Sequence, residues 1–232
     1  MPSLSFVIVV CLAGTLGAGV CSLLWRTTIG QRTSHILLAL ATAAGAGAAT
    51  VFLVKGAAPL TVYASNAVSI LPFGITTFSA VFFIIINAVA ALCAIFAFRY
   101  VEYYAHVYDV PRLGFCVALF IFGMQAVLLS TNIIGFMLFW EVMSLSSFVL
   151  VMADGEEASR KAALLYFVMA QLGALSILAG FMVLAGGNPW VSFSALSAGA
   201  NALTPHATII AFVLFFIGFG SKAGLVPLHT WL

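Results

Sequence analysis

The stretch FMLFWEVMSLSSFVLVM, Phe136–Met152, is apolar over five helical turns except for one glutamate, Glu141, and a few serines. A run this long and this apolar matches the hydrocarbon core of a bilayer, about 30 Å thick, which takes about 20 helical residues. The rest of the chain agrees. Of 232 residues, 64% are hydrophobic and only 6% charged, where a soluble domain carries about 25% charged residues. A soluble fold of this length cannot cover so much apolar surface. The chain reads as an all-α, polytopic transmembrane helix bundle, because lipid leaves backbone groups no partner outside a helix or a closed barrel, and these runs are too long for barrel strands.

Working outward from Phe136 gives seven spans: Leu4–Leu24, His35–Val54, Thr77–Phe98, Leu113–Leu129, Asn132–Ala153, Ala158–Ala185 and His206–Val226. The first lacks a positive n-region and is read as a helix that stays, not a cleaved signal. The joints are legible. Trp25–Ser34 is short, polar and basic. Lys55–Thr76 holds Pro59, Pro72 and the mixed run VYASNAVSILP, which suits the interface. Arg99–Arg112 is charged and tyrosine-rich, like an aromatic belt. Ser130–Thr131 leaves almost no loop, Asp154–Lys161 is a charged turn, and Gly186–Pro205 is longer and uncharged.

If the spans alternate, Arg26, Arg32, Arg99, Arg112, Arg160 and Lys161 share one side, and Lys55 alone falls on the other. By the positive-inside rule the N-terminus is then outside, and the fifth and seventh spans run inward.

Subtracting loop charges isolates two residues. Glu102, Asp109, Asp154, Glu156 and Glu157 all sit at span ends or in loops, leaving Glu141; among the bases only Lys222 remains. Glu141 lies about 13–20 Å from either end of its span at 1.5 Å per residue. A charge at that depth costs roughly 2.5–3.5 kcal/mol on insertion scales and marks an ion or proton path by default. Packing alone, with the acid protonated, is the competing reading. Ser144, at i+3, is its neighbour on the helix; Ser146 and Ser147 follow.

Lys222 stands in FFIGFGSKAGLVPLHTWL. A lysine near a helix end can snorkel, but apolar AGLV continues beyond it and Pro227 then interrupts the helix, since it offers no N–H. Interrupted helices at membrane depth build ion sites in transporters. Burial and mutual attraction shift an acid–base pair in opposing directions, so Glu141 and Lys222 are expected to be partners in a proton relay. His229, beyond the break, titrates near neutrality and is a candidate secondary relay. Asn87, Gln125 and Gln171 are expected to hydrogen-bond between helices, and His35, His106 and His206 to lie at the interface.

Cys11, Cys21, Cys93 and Cys116 are scattered singly and read as small packing residues. No nucleotide-binding, metal-binding or nucleophile–base motif occurs, and nothing points to a nucleic-acid partner. The reading assigns no catalytic residue, no metal and no cofactor to this chain.

FMLFWEVMSLSSFVLV, the charged turn after it and SRKAALLYFVMAQLGALSILAGFMVL resemble the antiporter-like membrane subunits of respiratory complex I and its relatives. GSKAGLVPLHTWL resembles the seventh-helix signature of the same family. Among its branches the wording is most similar to hydrogenase-4 component B and the formate hydrogenlyase membrane subunit, and Mrp cation/proton antiporter subunits share the pattern. The resemblance runs from Leu113 to Leu232. Over the first hundred residues only hydropathy and charge layout agree.

The resemblance implies that Glu141 and Lys222 are the family's charge pair in a proton-translocating half-channel, and that Pro227 marks its broken helix. It implies three N-terminal helices over residues 1–112 and, over 113–232, helices four to seven of an incomplete first antiporter-like repeat, the chain being an N-terminal fragment. It also implies a multi-pass protein of a prokaryotic plasma membrane, working with other membrane and peripheral subunits. The function expected is proton translocation within a complex I-like oxidoreductase that keeps its redox centres in other subunits. Two alternatives stand beside it: a cation/proton antiporter subunit moving protons and Na+, and a structural membrane anchor.

Overall fold

The computed structural model describes residues 2–56, 59–63, 71–103, 108–199, 203–229 and 231. Its helices are α1 (Pro2–Leu24), α2 (Thr28–Val54), α3 (Thr77–Tyr103), α4 (Val110–Leu129), α5 (Ile133–Val151), α6 (Glu157–Leu184), the short α7 (Phe193–Gly199) and α8 (Pro205–Ala223). Two short strands, β1 (Leu60–Tyr63) and β2 (Phe73–Ile75), pair antiparallel between α2 and α3. Among the described residues, seven helices are long and apolar enough to cross a membrane, all but α7. The protein is an integral, multi-pass helix bundle.

Helix boundaries move where caps outweigh hydropathy. α2 begins at Thr28, seven residues before the expected His35, because the Thr27 side chain accepts from the Gly30 N–H and caps it. The polar segment read as a loop is therefore largely helix. Its residues bond back to α1: Ser34 Oγ donates to Ala18 O at 2.7 Å, and Gln31 Nε2 to Ser22 O at 2.8 Å. Gly186–Pro205, read as loop, contains α7. Of the run VYASNAVSILP, residues 64–70 lie outside the described residues, as does His106.

The two ends of the bundle differ. One cavity joins Arg26, Thr28 and Arg32 to Phe98 and Tyr108–Pro111; another joins Asp109 and Arg112 to Val149, Leu150, Met152 and Ala153. The α1–α2, α3–α4 and α5–α6 connections thus share one end, the basic end. At the opposite end the β-hairpin, the α4–α5 turn and the α6–α7 loop interlock. Thr131 N–H and Oγ1 both bond Pro72 O, and Phe193 N–H bonds Thr131 O at 3.0 Å.

Small residues set the helix spacing, as expected where lipid gives no hydrophobic drive between helices. A Cβ on Gly14 would sit 2.8 Å from Ala41 Cβ, and one on Gly123 2.9 Å from Met143 N. α4 packs on α1 with one side and on α5 with the other. One apolar core gathers Ile8, Phe52, Ile75, Phe83 and Leu129; a second gathers Ile133, Ile177 and Phe181 with Trp140 and Phe215 around it. Phe78, Ile85, Leu92 and Phe96 form an outward stripe on α3 suited to lipid.

Candidate functional site

α5 presents two neighbouring stripes of side chains. Trp140, Ser144 and Ser147 fall at i, i+4 and i+7, which stacks them on one face. Ile134, Leu138 and Glu141 repeat the same spacing on an adjacent face. Glu141 lies on the second stripe, and Lys222, from α8, meets the first.

Glu141 faces α6. Its Oε2 accepts from Gln171 Nε2 at 2.9 Å, and the pair closes one end of an otherwise apolar cavity of about 280 Å³ lined by Ile134, Met137, Leu138 and Leu175. Both side chains are half-buried. An acid held by one amide donor, beside an open cavity, keeps acceptor capacity free for a cation or water.

Lys222, near the end of α8, reaches the other stripe. Its ammonium donates to Tyr166 Oη at 2.7 Å and to Ser144 Oγ at 3.3 Å. It also lies 5.1 Å from the centroid of the Tyr166 ring and 5.9 Å from that of Trp140, within cation–π range. Ser147 Oγ donates in turn to Tyr166 Oη. No salt bridge joins Glu141 to Lys222 among the described residues. Each is satisfied by neutral partners on the stripe it faces.

The position of Lys222 is fixed by how closely α8 meets α6. A Cβ on Gly218 would lie 2.7 Å from Gly173 O and 2.5 Å from Ile177 Cγ1. Ser221 Oγ donates to Met169 O at 3.3 Å across the same contact. One turn beyond, the helix ends. Gly224 adopts φ 72°, and Leu225 N–H reaches back to Gly220 O at 2.9 Å. That is the left-handed glycine cap with its six-residue closing bond.

The break therefore precedes Pro227: the helix stops at Ala223, and glycine is the terminator rather than proline. Pro227 lies in the exposed turn that follows. His229 is exposed in that turn, and no hydrogen bond links it to Glu141 or Lys222 among the described residues. Trp231 Nε1–H donates to Ser221 O at 2.8 Å and sets its ring 5.1 Å from that of Tyr166, tying the segment back over the site.

Three contributors were not singled out in the sequence. Tyr166 stands in an apolar helix as one more aromatic, and Ser147, named with the serines that follow Glu141, was given no partner. Trp231 lies after the helix end. The spacing Trp140–Ser144–Ser147 was the available signal, but it acquires meaning only when α6 and α8 supply partners. His35, expected at the interface, is buried at 8% exposure in α2 and lines the cavity with Arg26 and Arg32; His206 is exposed.

A second polar cluster lies between α1, α3 and α4. Gln125 Nε2 donates to Asn87 Oδ1 at 2.7 Å and to Thr15 Oγ1 at 3.3 Å, and Asn87 Nδ2 donates to Phe83 O at 2.8 Å. Cys11 Sγ lies 3.5 Å from Asn87 Oδ1. Asn87 and Gln125 act as the interhelical bonds expected of them.

Seven spans, a glycine-ended helix and a half-buried lysine beside an acid-bearing helix define a class: polytopic membrane helix bundles with ionisable side chains inside. Residues 130–232 match the NADH:quinone oxidoreductase/Mrp antiporter transmembrane family. The chain is similar to hydrogenase-4 component B of Escherichia coli (strain K12), 34% identical over 157 residues, which is 66% of this chain and 22% of that protein. The fold is shared with a chain of the membrane-bound sulfane sulfur reductase, an archaeal respiratory membrane complex. There the TM-score is 0.79 at 20% identity, over 100% of this chain and 47% of that one. It is shared also with a chain of the Mrp complex from Dietzia sp. DQ12-45-1b, TM-score 0.76 at 24% identity, over 100% of this chain and 43% of that one. The chain thus spans under half the length of each solved chain and about a fifth of the curated relative.

Proposed function

We propose that this chain is part of a proton-translocating membrane subunit of a complex I-like oxidoreductase, of the hydrogenase-4 or formate hydrogenlyase type, in a prokaryotic plasma membrane. The observation that carries the reading is Lys222, held inside the bundle by neutral acceptors on Tyr166 and Ser144 while Glu141 waits on the adjacent stripe with Gln171. Ser144 is three residues from Glu141, so the two positions are neighbours on the helix. A lysine stem is flexible enough to carry its ammonium between them.

With Lys222 on Tyr166 the pair is open. With Lys222 on Glu141 the pair is closed, an ammonium against a carboxylate. A charge arriving from a neighbouring subunit shifts that balance and changes the protonation of one partner. Redox chemistry belongs to partner subunits, and the work of this segment is to pass a charge change into a proton movement.

The test uses the full-length protein in its assembled complex, reconstituted in liposomes. Glu141→Gln and Lys222→Met are each expected to lower redox-coupled proton pumping by more than about tenfold, equivalent to about 1.4 kcal/mol on a barrier, while assembly is retained. Normal pumping in both variants overturns the reading. The second reading, a cation/proton antiporter subunit, is favoured by the fold shared with the Mrp complex chain. Proton flux driven by a sodium gradient without redox substrate selects it. Full activity in the double variant that combines Glu141→Gln with Lys222→Met would leave only an anchoring role.

A further inference from the structure

We propose that Tyr166 is the group through which Lys222 exchanges its proton with the basic end of the bundle, with Ser147 as the next carrier. The inference rests on the reading of Lys222 as a proton-handling residue and names the route that serves it.

Four observations converge on this hydroxyl. Tyr166 is buried, 6% exposed, nine residues into the membrane-length helix α6. Its oxygen receives the closest hydrogen bond of Lys222, at 2.7 Å. The same oxygen receives the Ser147 hydroxyl. Its ring is held against Trp231 at 5.1 Å, and Trp231 is itself bonded to Ser221 O, the residue before Lys222. Ring and lysine therefore keep their relative position. A ring needed only for packing would require no hydroxyl, least of all one bonded on two sides.

The direction of the chain follows from helix geometry. α5 ends at Val151 and leads into the turn that lies at the basic end. Ser147 is about 4.5 Å further along α5 than Ser144 at 1.5 Å per residue. The sequence Lys222, Tyr166, Ser147 therefore steps toward that end. Glu141, two residues upstream of Met143 and one turn before Ser144, lies the other way. Lys222 thus stands between a hydroxyl pair leading to the basic end and an acid deeper in the bundle.

The proton balance closes without any further reactant but water. To load a neutral Lys222, Tyr166 gives its hydroxyl proton to Nζ and takes the proton of Ser147. Ser147 takes one from hydronium at the basic end. Tyrosine and serine finish neutral as they began, one hydronium becomes water, and Lys222 gains one proton. Hydroxyl groups both donate and accept and rotate to suit. As the structure stands, Ser147 and Lys222 both donate to the Tyr166 oxygen, the arrangement of a loaded lysine; when Lys222 is neutral, the Tyr166 hydroxyl turns to donate to Nζ.

The test again uses the full-length protein in its complex in liposomes. Tyr166→Phe keeps the ring contacts with Trp231 and Lys222 and removes the hydroxyl. It is expected to lower proton pumping by about tenfold or more, within the range of a lost general acid–base group, and to change the shape of the pH–flux profile with assembly unchanged. Ser147→Ala is expected to lower pumping too, and Ser147→Thr to restore it. Wild-type flux in Tyr166→Phe, with Lys222→Met inactive, overturns this route but not the function. Normal flux in both Lys222→Met and Glu141→Gln overturns the function itself. A reduced flux with an unchanged pH profile assigns Tyr166 a structural role and overturns the proposal. If Tyr166→Phe fails to assemble, equal flux in Ser147→Ala and Ser147→Thr overturns it.

Discussion

Gln125, Asn87 and Thr15 meet between α1, α3 and α4 with all three side chains fully buried. Glu141 and Lys222 meet their partners at similar distances, yet both remain half-buried. Amides and hydroxyls carry no net charge, so a sealed cluster costs only the desolvation of dipoles, which their mutual bonds offset. A carboxylate and an ammonium cannot be sealed in the same way without a large penalty. The first cluster ties helices together. The second keeps a cavity beside its acid and several acceptors around its base, and so retains a choice of partner.

The largest expected structural effect comes from the contact that seats Lys222. Gly218→Ala places a Cβ 2.5 Å from Ile177 Cγ1 and 3.0 Å from Ile177 N. Overpacking of this kind costs about 1–3 kcal/mol. Thermal unfolding in detergent should show the loss, and flux should fall with it as Lys222 leaves Tyr166. Gly47→Ala, with nothing within 4 Å of the added carbon, should change neither. If Gly218→Ala lowers flux at unchanged stability, the site is more sensitive to lysine placement than the packing alone requires.

Next in size is Gln125→Leu. It removes a donor that serves Asn87 and Thr15, and with it Gln125 Oε1, a buried acceptor that has no partner among the described residues. The two partly cancel, so a stability loss of about 0.5–1.5 kcal/mol is expected, with proton flux and its pH profile unchanged. A change in the profile would break the contrast and give the N-terminal cluster a part in proton handling.

The smallest effect belongs outside the membrane. Asp154, in the exposed α5–α6 turn, accepts from Ser159 Oγ at 2.7 Å and Glu156 N–H at 3.0 Å. These bonds, the serine's first, hold its carboxyl below the ordinary value. A depressed folded-state value means the contribution is present above the usual carboxylate range, about 3.9, and is lost as pH falls through it. Hydrogen exchange at the Glu156 amide should therefore rise relative to Asp154→Asn only below about pH 4. A difference that persists at neutral pH would show that the turn depends on charge rather than on the acceptor oxygen.

Much of this was legible before any coordinates. Hydropathy alone placed the seven spans, because a 20-residue apolar run has no other stable solution in a bilayer. Subtraction of loop charges selected Glu141 and Lys222. It did not reveal that α2 starts at Thr28, because a helix that protrudes from lipid carries polar residues and resembles a loop. It assigned the end of the last span to Pro227, where Gly224 supplies the stop. A proline is conspicuous in a string, whereas a glycine becomes a terminator only when its φ turns positive.

The sequence by itself determined the solvent, the helices, the charge layout of the ends and the choice of Glu141 and Lys222. All of these follow from composition and from the rise and hydrophobic length of a helix. The partners of those residues were decided only in three dimensions. Glu141 and Trp140 are adjacent in the chain but about 100° apart around α5 at 3.6 residues per turn. Which of the two faces Lys222 depends on the rotation of α5 against α6 and α8. Close glycine contacts hold the neighbouring pairs, Gly218 on Gly173 between α8 and α6 and Gly123 on Met143 between α4 and α5, and no local property of the string encodes them.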